Sequence, residues 1–278
     1  MKQLTTVAEI REALAGILGS VGLVPTMGYL HAGHMALVDR ARKENGSVVV
    51  SIFVNPAQFG PQEDLSRYPK DMKRDMAMLE KAGVDMVFAP SVEEMYPSGF
   101  GSYVNVEGPA NRWEGERRPG HFRGVATVVA KLFNIIPADR AYFGQKDAQQ
   151  VAVIKRMARD LSFRHKIVVV PTVREADGLA LSSRNVYLSL EDRQAALVLS
   201  RALVRAQELF GQGERDAGRI RAAIRELLDA EPRVEPDYVA VAHPETLEEL
   251  DMIDQRALVA LAARVGSTRL IDNVLLGE

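Results

Sequence analysis

The 278-residue chain contains no cysteine. Disulfides, zinc–thiolate sites and thiol nucleophiles are therefore excluded, and a reducing compartment such as the cytoplasm is compatible with the composition. Charge of one sign is not in excess either: 35 Lys and Arg face 37 Asp and Glu, for a formal net charge of −2. A protein built to ride on nucleic acid usually carries a basic surplus, so no nucleic-acid partner is expected. Long apolar runs are missing as well. The strongest, Val48–Val54, is broken by Ser51 and falls short of the ~18 residues that a membrane span requires. The N-terminus is amphipathic, with charges spread through it, and has neither an apolar signal core nor a small-residue cleavage site. These absences predict a cytoplasmic protein with no membrane partner.

What is present is ordinary globular material, 47% hydrophobic and 26% charged, in a length that suggests about two domains. Through the first two-thirds, short apolar runs alternate with helical patterns. Val21–Val24 reads as a strand ending at Pro25, and Ser47–Val54 as a strand buried on both faces. Met86–Ala89, Ala141–Phe143 and Lys166–Val170 read as further strands. Helical spacing covers Gly33–Lys43, Asp71–Ala82, Gly124–Ile136 and Asp147–Leu161. Such alternation predicts βαβ units and an α/β, Rossmann-like parallel-sheet domain over residues 1–171. After Pro171 the pattern changes. Two helices, Leu190–Phe210 and Glu214–Ala230, precede strands at Asp237–Ala242, Ala257–Ala262 and Thr268–Asn273, so a smaller α+β domain is expected over 172–278. Three irregular stretches, Asn55–Pro69, Pro97–Gly124 and Val173–Tyr187, are of a length usually kept for function or mobility.

Five segments could carry chemistry. Pro25-Thr26-Met27-Gly28-Tyr29-Leu30-His31-Ala32-Gly33-His34 follows a strand and opens a helix, whose unpaired N–H groups suit phosphate. His31 and His34 share one side of its first turn and could steady charge developing in phosphoryl or nucleotidyl transfer. A pair of helix caps or a metal site is the plainer alternative. Two of only five histidines at a turn with two glycines favour chemistry. Leu181-Ser182-Ser183-Arg184-Asn185 offers hydroxyls and a guanidinium to a triphosphate, though an ordinary surface loop looks the same. Phe143-Gly144-Gln145-Lys146-Asp147 is a strand end with a cation and a helix cap at Asp147, and Gln150 lies one turn on. Asn55-Pro56-Ala57-Gln58-Phe59 follows the central strand. Arg117–Gly124 is a basic, glycine-flanked loop that reads equally as a lid over an anion or as a solvated turn. P-loop, dinucleotide-binding and serine-hydrolase motifs are all absent from the sequence.

Taken together and in this order, the motifs resemble the pantothenate synthetases, or pantoate–β-alanine ligases, of the His-x-Gly-His nucleotidyltransferase superfamily. The resemblance implies ATP-dependent condensation of pantoate with β-alanine through a pantoyl adenylate, with AMP and pyrophosphate released and Mg²⁺ accompanying ATP. It implies an ATP site of Met27, Gly28, Tyr29, Leu30, His31, Ala32, Gly33 and His34, with Gly144, Gln145, Lys146, Asp147, Val173, Leu181, Ser182, Ser183 and Arg184. The chemistry would fall to His34, His31, Lys146 and Arg184. Gln58 would contact pantoate and β-alanine and Gln150 pantoate, with Asn55 at the same strand end. The metal ligands are left unassigned. A homodimer and a hinged C-terminal lid domain are also implied. Leu181 stands where many members have Met, an apolar exchange. The competing readings are a nucleotidylyltransferase acting on a phosphorylated acceptor, and a nucleotide-binding regulatory or RNA-binding module without catalysis. A tRNA synthetase fits less well, because no tRNA-binding surface is evident.

Overall fold

A computed structural model describes residues 1–61 and 63–277. Their backbone divides into two compact units, one within residues 1–144 and 153–171, the other within residues 145–152 and 172–277.

The first unit is built on a six-stranded, all-parallel sheet: β1 (Lys2–Leu4), β2 (Val21–Thr26), β3 (Ser47–Ile52), β4 (Met86–Phe88), β5 (Arg140–Gly144) and β6 (Lys166–Val170). The spatial order is β1-β4-β3-β2-β5-β6. Strand β3 is almost fully buried along its length, as a central strand covered on both faces should be. The chain steps outward from β2 to β3 to β4 and then returns to the other side of β2 as β5, so the order reverses between β2 and β5. In open α/β sheets that switch point is where ligands gather at the strands' carboxyl ends. Val24, Leu37, Val38, Val48, Val50 and Val87 form the core between this sheet and the helix Ala32–Glu44.

Two expectations about the first unit change. Strand β2 does not stop at Pro25 but runs to Thr26, with Pro25 opposite Ser51. Proline is tolerated because pairing with β5 has already ended at Leu23, so it interrupts no ladder on that side. The helix expected from Gly124 begins one turn earlier, as His121–Ile135. Strand β1 and the helix Val7–Ala15 also lie in the N-terminal stretch read only as amphipathic. A capping box of Thr6 and Glu9 starts that helix.

The second unit carries an antiparallel meander of β7 (Val234–Ala242), β8 (Ala257–Val265) and β9 (Thr268–Leu276). The helices Leu197–Gly211 and Ala217–Asp229 cover it through Leu203, Ala206, Ile220 and Ile224, packed with Val241, Val259 and Leu261. The single helix expected over Leu190–Phe210 is two helices, Leu190–Ala195 and Leu197–Gly211, separated by a tight turn in which Leu199 N–H reaches back to the Ala196 carbonyl. Among the described residues, no helix is long and apolar enough to cross a membrane.

Candidate active site

Beyond β2 the chain enters a turn. Gly28 (φ +82°) and Tyr29 (φ +49°) both take left-handed conformations. Glycine does so freely, whereas a tyrosine there costs roughly 1–2 kcal/mol. Asp75, on the helix Met72–Lys81, supplies the compensation: one carboxylate oxygen accepts the Tyr29 N–H at 2.7 Å and the other accepts the Leu30 N–H at 2.8 Å. Asp75 is 1% exposed. A Cβ on Gly28 would stand 3.0 Å from Ile52 Cγ2 and 3.2 Å from Asp75 Oδ2, which explains the small residue beside the carboxylate.

The turn delivers His31 as the N-cap of Ala32–Glu44. Gly33 N–H donates to His31 Nδ1 (3.1 Å), and His31 N–H donates to His34 Nδ1 (3.3 Å). The ring centroids are 4.1 Å apart. A backbone N–H can only donate, so both Nδ1 atoms are acceptors and both rings carry their proton on Nε2. Most amides of the turn, expected to be open to phosphate, are instead occupied. The N–H groups of Gly28, Tyr29, Leu30, His31 and Gly33 all have protein acceptors, Gly28 using Thr26 Oγ1 at 3.2 Å. Each imidazole also carries a donor, its Nε2–H.

At the end of β3, Asn55 caps the short 3₁₀ turn Pro56–Gln58. Its Oδ1 accepts the Ala57 N–H (3.2 Å) and the Tyr96 hydroxyl (2.7 Å), and its Nδ2 donates to the Gly124 carbonyl (3.2 Å) and to Gln58 Oε1 (3.0 Å). Two of these partners are backbone groups, so the Asn55 amide has only one possible orientation. The Gln58 amide is thereby fixed too. Its oxygen faces Asn55 and its NH₂ faces Met27, with Nε2 3.3 Å from Sδ. Burial, with Tyr103 adding to it, pushes the Tyr96 hydroxyl well above its ordinary pKa, keeping it a donor.

The basic loop is not a set of cations awaiting an anion. Arg118 pairs with Glu63, Nη2 to Oε2 at 2.7 Å, and its Nη1 is 3.1 Å from His121 Nε2. Arginine only donates, so His121 accepts at Nε2 and donates from Nδ1 to the Gln58 carbonyl at 2.8 Å. Burial, then the Arg118 charge, push the His121 pKa down to about 4. For Glu63 burial acts upward, but the hydrogen bond and charge of Arg118 outweigh it and hold the carboxyl below its usual value. Arg123 stacks 3.8 Å from the Tyr103 ring centre. Arg118 and His121 of this segment thus form a scaffold that backs Gln58.

His121 makes stability depend on pH. Between an unfolded value near 6.5 and the folded value of about 4, the unfolded chain binds the His121 proton more readily. Stability is full above pH 6.5 and falls as pH drops towards 4, by about 3 kcal/mol from this group. Denaturant melts of wild type and His121→Gln at pH 7 and pH 4 check this: the variant should lose much less between the two. An equal loss in both would remove His121 as the source.

In the second unit, β9 organises two segments that are distant in sequence. Asn273 Nδ2 donates to the carbonyls of Gln145 (3.0 Å) and Lys146 (2.9 Å), and its Oδ1 accepts Gln145 Nε2 (2.9 Å). The neighbouring Asp272 takes Arg174 in a two-pronged pair at 2.6 and 2.9 Å. Arg174 in turn donates to the Gly178 carbonyl (3.1 Å), and Leu181 N–H bonds the Val173 carbonyl. Asp272 and Asn273 are 3% and 4% exposed. Residues 173–181 thus form a short hairpin, braced further by Arg193 on Glu175 and Asp177. Ser182 Oγ accepts the Arg184 N–H and caps the 3₁₀ helix Ser183–Tyr187. Gln150 lies in the first turn of the helix Ala148–Asp160.

The sequence-chosen residues therefore gather as follows. In the first unit Met27, Asn55 and Gln58 join in one hydrogen-bonded chain, and the His31 and His34 rings lie against each other, tilted by 43°. In the second, Gln145 and Lys146 are tied to β9, as is the hairpin of Val173 that leads to Leu181–Arg184. Asp75, Tyr96, Asp272 and Asn273 escaped sequence reasoning because their partners lie far away in the chain.

A family model for pantoate-beta-alanine ligase matches residues 2–275. The chain belongs to this ligase family. A pantothenate synthetase of Roseiflexus castenholzii is 60% identical over 276 residues, covering 99% of each chain. One from Chloroflexus aurantiacus is 61% identical over 277 residues, covering 99% of this chain and 98% of that one. Among solved structures, pantothenate synthetase from Thermus thermophilus superposes with TM-score 0.94 at 56% identity over 99% of each chain. Pantoate-beta-alanine ligase from Francisella tularensis, solved with beta-gamma ATP and beta-alanine, gives 0.81 at 34% identity, covering 99% of this chain and 97% of that one. The reaction of the pantoate–β-alanine ligases is ATP-dependent condensation of pantoate with β-alanine, and the α/β fold with its smaller antiparallel second sheet is theirs.

Proposed function

We propose that the chain makes pantothenate in two steps at a site built from the residues above. A pantoate carboxylate oxygen attacks the α-phosphorus of ATP, and pyrophosphate leaves. The β-alanine amine then attacks the acyl carbon of the adenylate, AMP leaves, and the amine loses a proton. The observation that carries this reading is the His31–His34 pair: two neighbouring neutral imidazoles whose Nε2–H groups suit oxygens gaining charge at the α-phosphate. His34 acts here as a hydrogen-bond donor from neutral imidazole. Met27 to His34, Gly144 to Asp147, Val173 and Leu181 to Arg184 would bind ATP, with Lys146 and Arg184 neutralising its phosphates.

Gln58 would offer its NH₂ to oxygens of pantoate and β-alanine, Asn55 would act through Gln58, and Gln150 would hold pantoate. That neutral amide chain favours pantoate over a phosphorylated acceptor. Mg²⁺ would enter on ATP. No group of three or more His, Asp or Glu among the described residues is placed to hold a metal, so phosphate oxygens and water are the fitting ligands. The family resemblance supports a homodimer, a cytoplasmic setting and a C-terminal domain that closes as a lid.

The test is pyrophosphate release from ATP with pantoate alone, then with β-alanine added. Pantoate-dependent pyrophosphate, followed by AMP and pantothenate only on adding β-alanine, is expected. Release without any pantoate dependence would refute the assignment. Within the same assay Gln58→Ala should raise the pantoate KM by about 10-fold or more, the scale of one or two lost polar contacts, and leave ATP affinity within about threefold. A collapse of ATP binding in a folded Gln58→Ala protein would contradict the role given to Gln58.

A further inference from the structure

We propose that Asp75, assisted by Arg74, is a positioning residue for ATP that holds the 27–34 turn in the backbone form able to accept the nucleotide. The proposal rests on the function inferred above, in which this turn binds ATP. Its starting point is a strained residue. Tyr29 sits at φ +49°, immediately before the segment that seats His31 and His34. An unrestrained tyrosine leaves this region for the α or β basin, and such a rotation redirects the chain entering His31.

The helix Met72–Lys81 holds the turn at three points. The Asp75 carboxylate accepts two successive amides, Tyr29 and Leu30, one on each oxygen. Arg74 Nη2 donates to the Leu30 carbonyl at 3.1 Å, and its guanidinium lies 5.3 Å from the Tyr29 ring centre. The two carboxylate oxygens thus present one acceptor to each N–H group. Gly28 leaves room for the carboxylate, since even a Cβ there would crowd Oδ2. Each contact lies within the first unit, and neither Asp75 nor Arg74 is among the residues given a part in binding or chemistry above.

If the role is positioning, loss of the clamp makes the competent turn rarer without changing what it does once ATP is bound. Apparent affinity then falls by the competent fraction while the saturated rate survives. Asp75→Asn keeps one acceptor oxygen and sets an NH₂ against the other amide. Its KM for ATP, and its ATP Kd by calorimetry, should rise about 30-fold, with kcat at saturating ATP and the pantoate KM within about threefold of wild type. A merely structural role would lower kcat through loss of folded enzyme and leave the ATP KM alone. That result, or an unchanged ATP Kd, would overturn the proposal.

A double-mutant cycle tests the link to Tyr29. Glycine takes φ > 0 unaided, so in a Tyr29→Gly background the Asp75→Asn effect on ATP Kd should shrink to about threefold. Persistence of the full effect would refute the clamp. If Asp75→Asn does not fold, the same cycle with Arg74→Ala, at an exposed position, should show about a fivefold rise in ATP Kd that disappears with Tyr29→Gly. No rise would count against the proposal. Calorimetry keeps the two readings separate. A wild-type protein that binds ATP but releases no pantoate-dependent pyrophosphate would overturn the functional reading alone.

Discussion

Replacing His34 by alanine is expected to slow pantoate-dependent pyrophosphate release by about 10²-fold or more, the scale of losing one transition-state donor. The cause lies in the backbone. His34 Nδ1 is taken by the His31 N–H, which leaves the ring a single proton, on Nε2. Such a ring donates a hydrogen bond without carrying net charge. Charge builds on the α-phosphate oxygens as pyrophosphate departs, so a donor aimed there stabilises the transition state more than bound ATP. The variant also removes the acceptor of the His31 N–H, a capping loss of about 1 kcal/mol, which should show as a small drop in melting temperature. Single-turnover pyrophosphate release at saturating ATP separates the two effects. A rate near that of wild type would dismiss His34 from the chemistry.

Gly124→Ala is expected to be strongly damaging to the first unit. The new Cβ would lie 2.2 Å from the Ala57 carbonyl oxygen, 2.4 Å from its carbon and 2.6 Å from Gln58 N. All three are backbone atoms of the 3₁₀ turn that carries Gln58, so no side chain can swing away. Overpacking of this kind costs about 3 kcal/mol, and in a protein of this size that lowers the melting temperature by about 8 °C. The helix His121–Ile135 and the turn must part, breaking the Asn55 bond to the Gly124 carbonyl and releasing the Gln58 amide. The pantoate KM should rise along with the loss of stability. Gly211→Ala is the control: nothing lies within 4 Å of its Cβ, and stability should change by less than about 1 kcal/mol. Equal melting temperatures for Gly124→Ala and wild type would show that the two segments can separate at little cost.

Much of the molecule could be read before folding was considered. Alternation of β-branched runs with 3.6-periodic segments predicts a parallel α/β sheet because both periods are local and both faces of β3 need covering. The turn from Thr26 to His34 was legible for the same reason: its glycines, its histidines and the helix it caps fall within one short segment. Five such segments in order were enough to mark the ligase family. The break at Ala196 was not legible, because helical spacing continues through it and only the turn geometry separates the two helices. Strand β1 is three residues long and half exposed, too short for a period to register.

By itself, then, the sequence determined the class of fold, the family, and which residue types stand at each strand end. Only the tertiary structure decided how those residues are held and which atoms they present. Asp75 grips amides 45 and 46 positions before it, Arg118 finds Glu63 55 positions before it, and Asn273 holds carbonyls 127 and 128 positions before it. The reason is physical. Burying a carboxylate, a guanidinium or an amide is unfavourable unless each polar atom meets a partner, and those partners arrive only when distant segments pack together. Spacing along a chain can place a histidine at a helix start, but the proton on its Nε2 is set by a backbone N–H whose direction exists only in the folded turn.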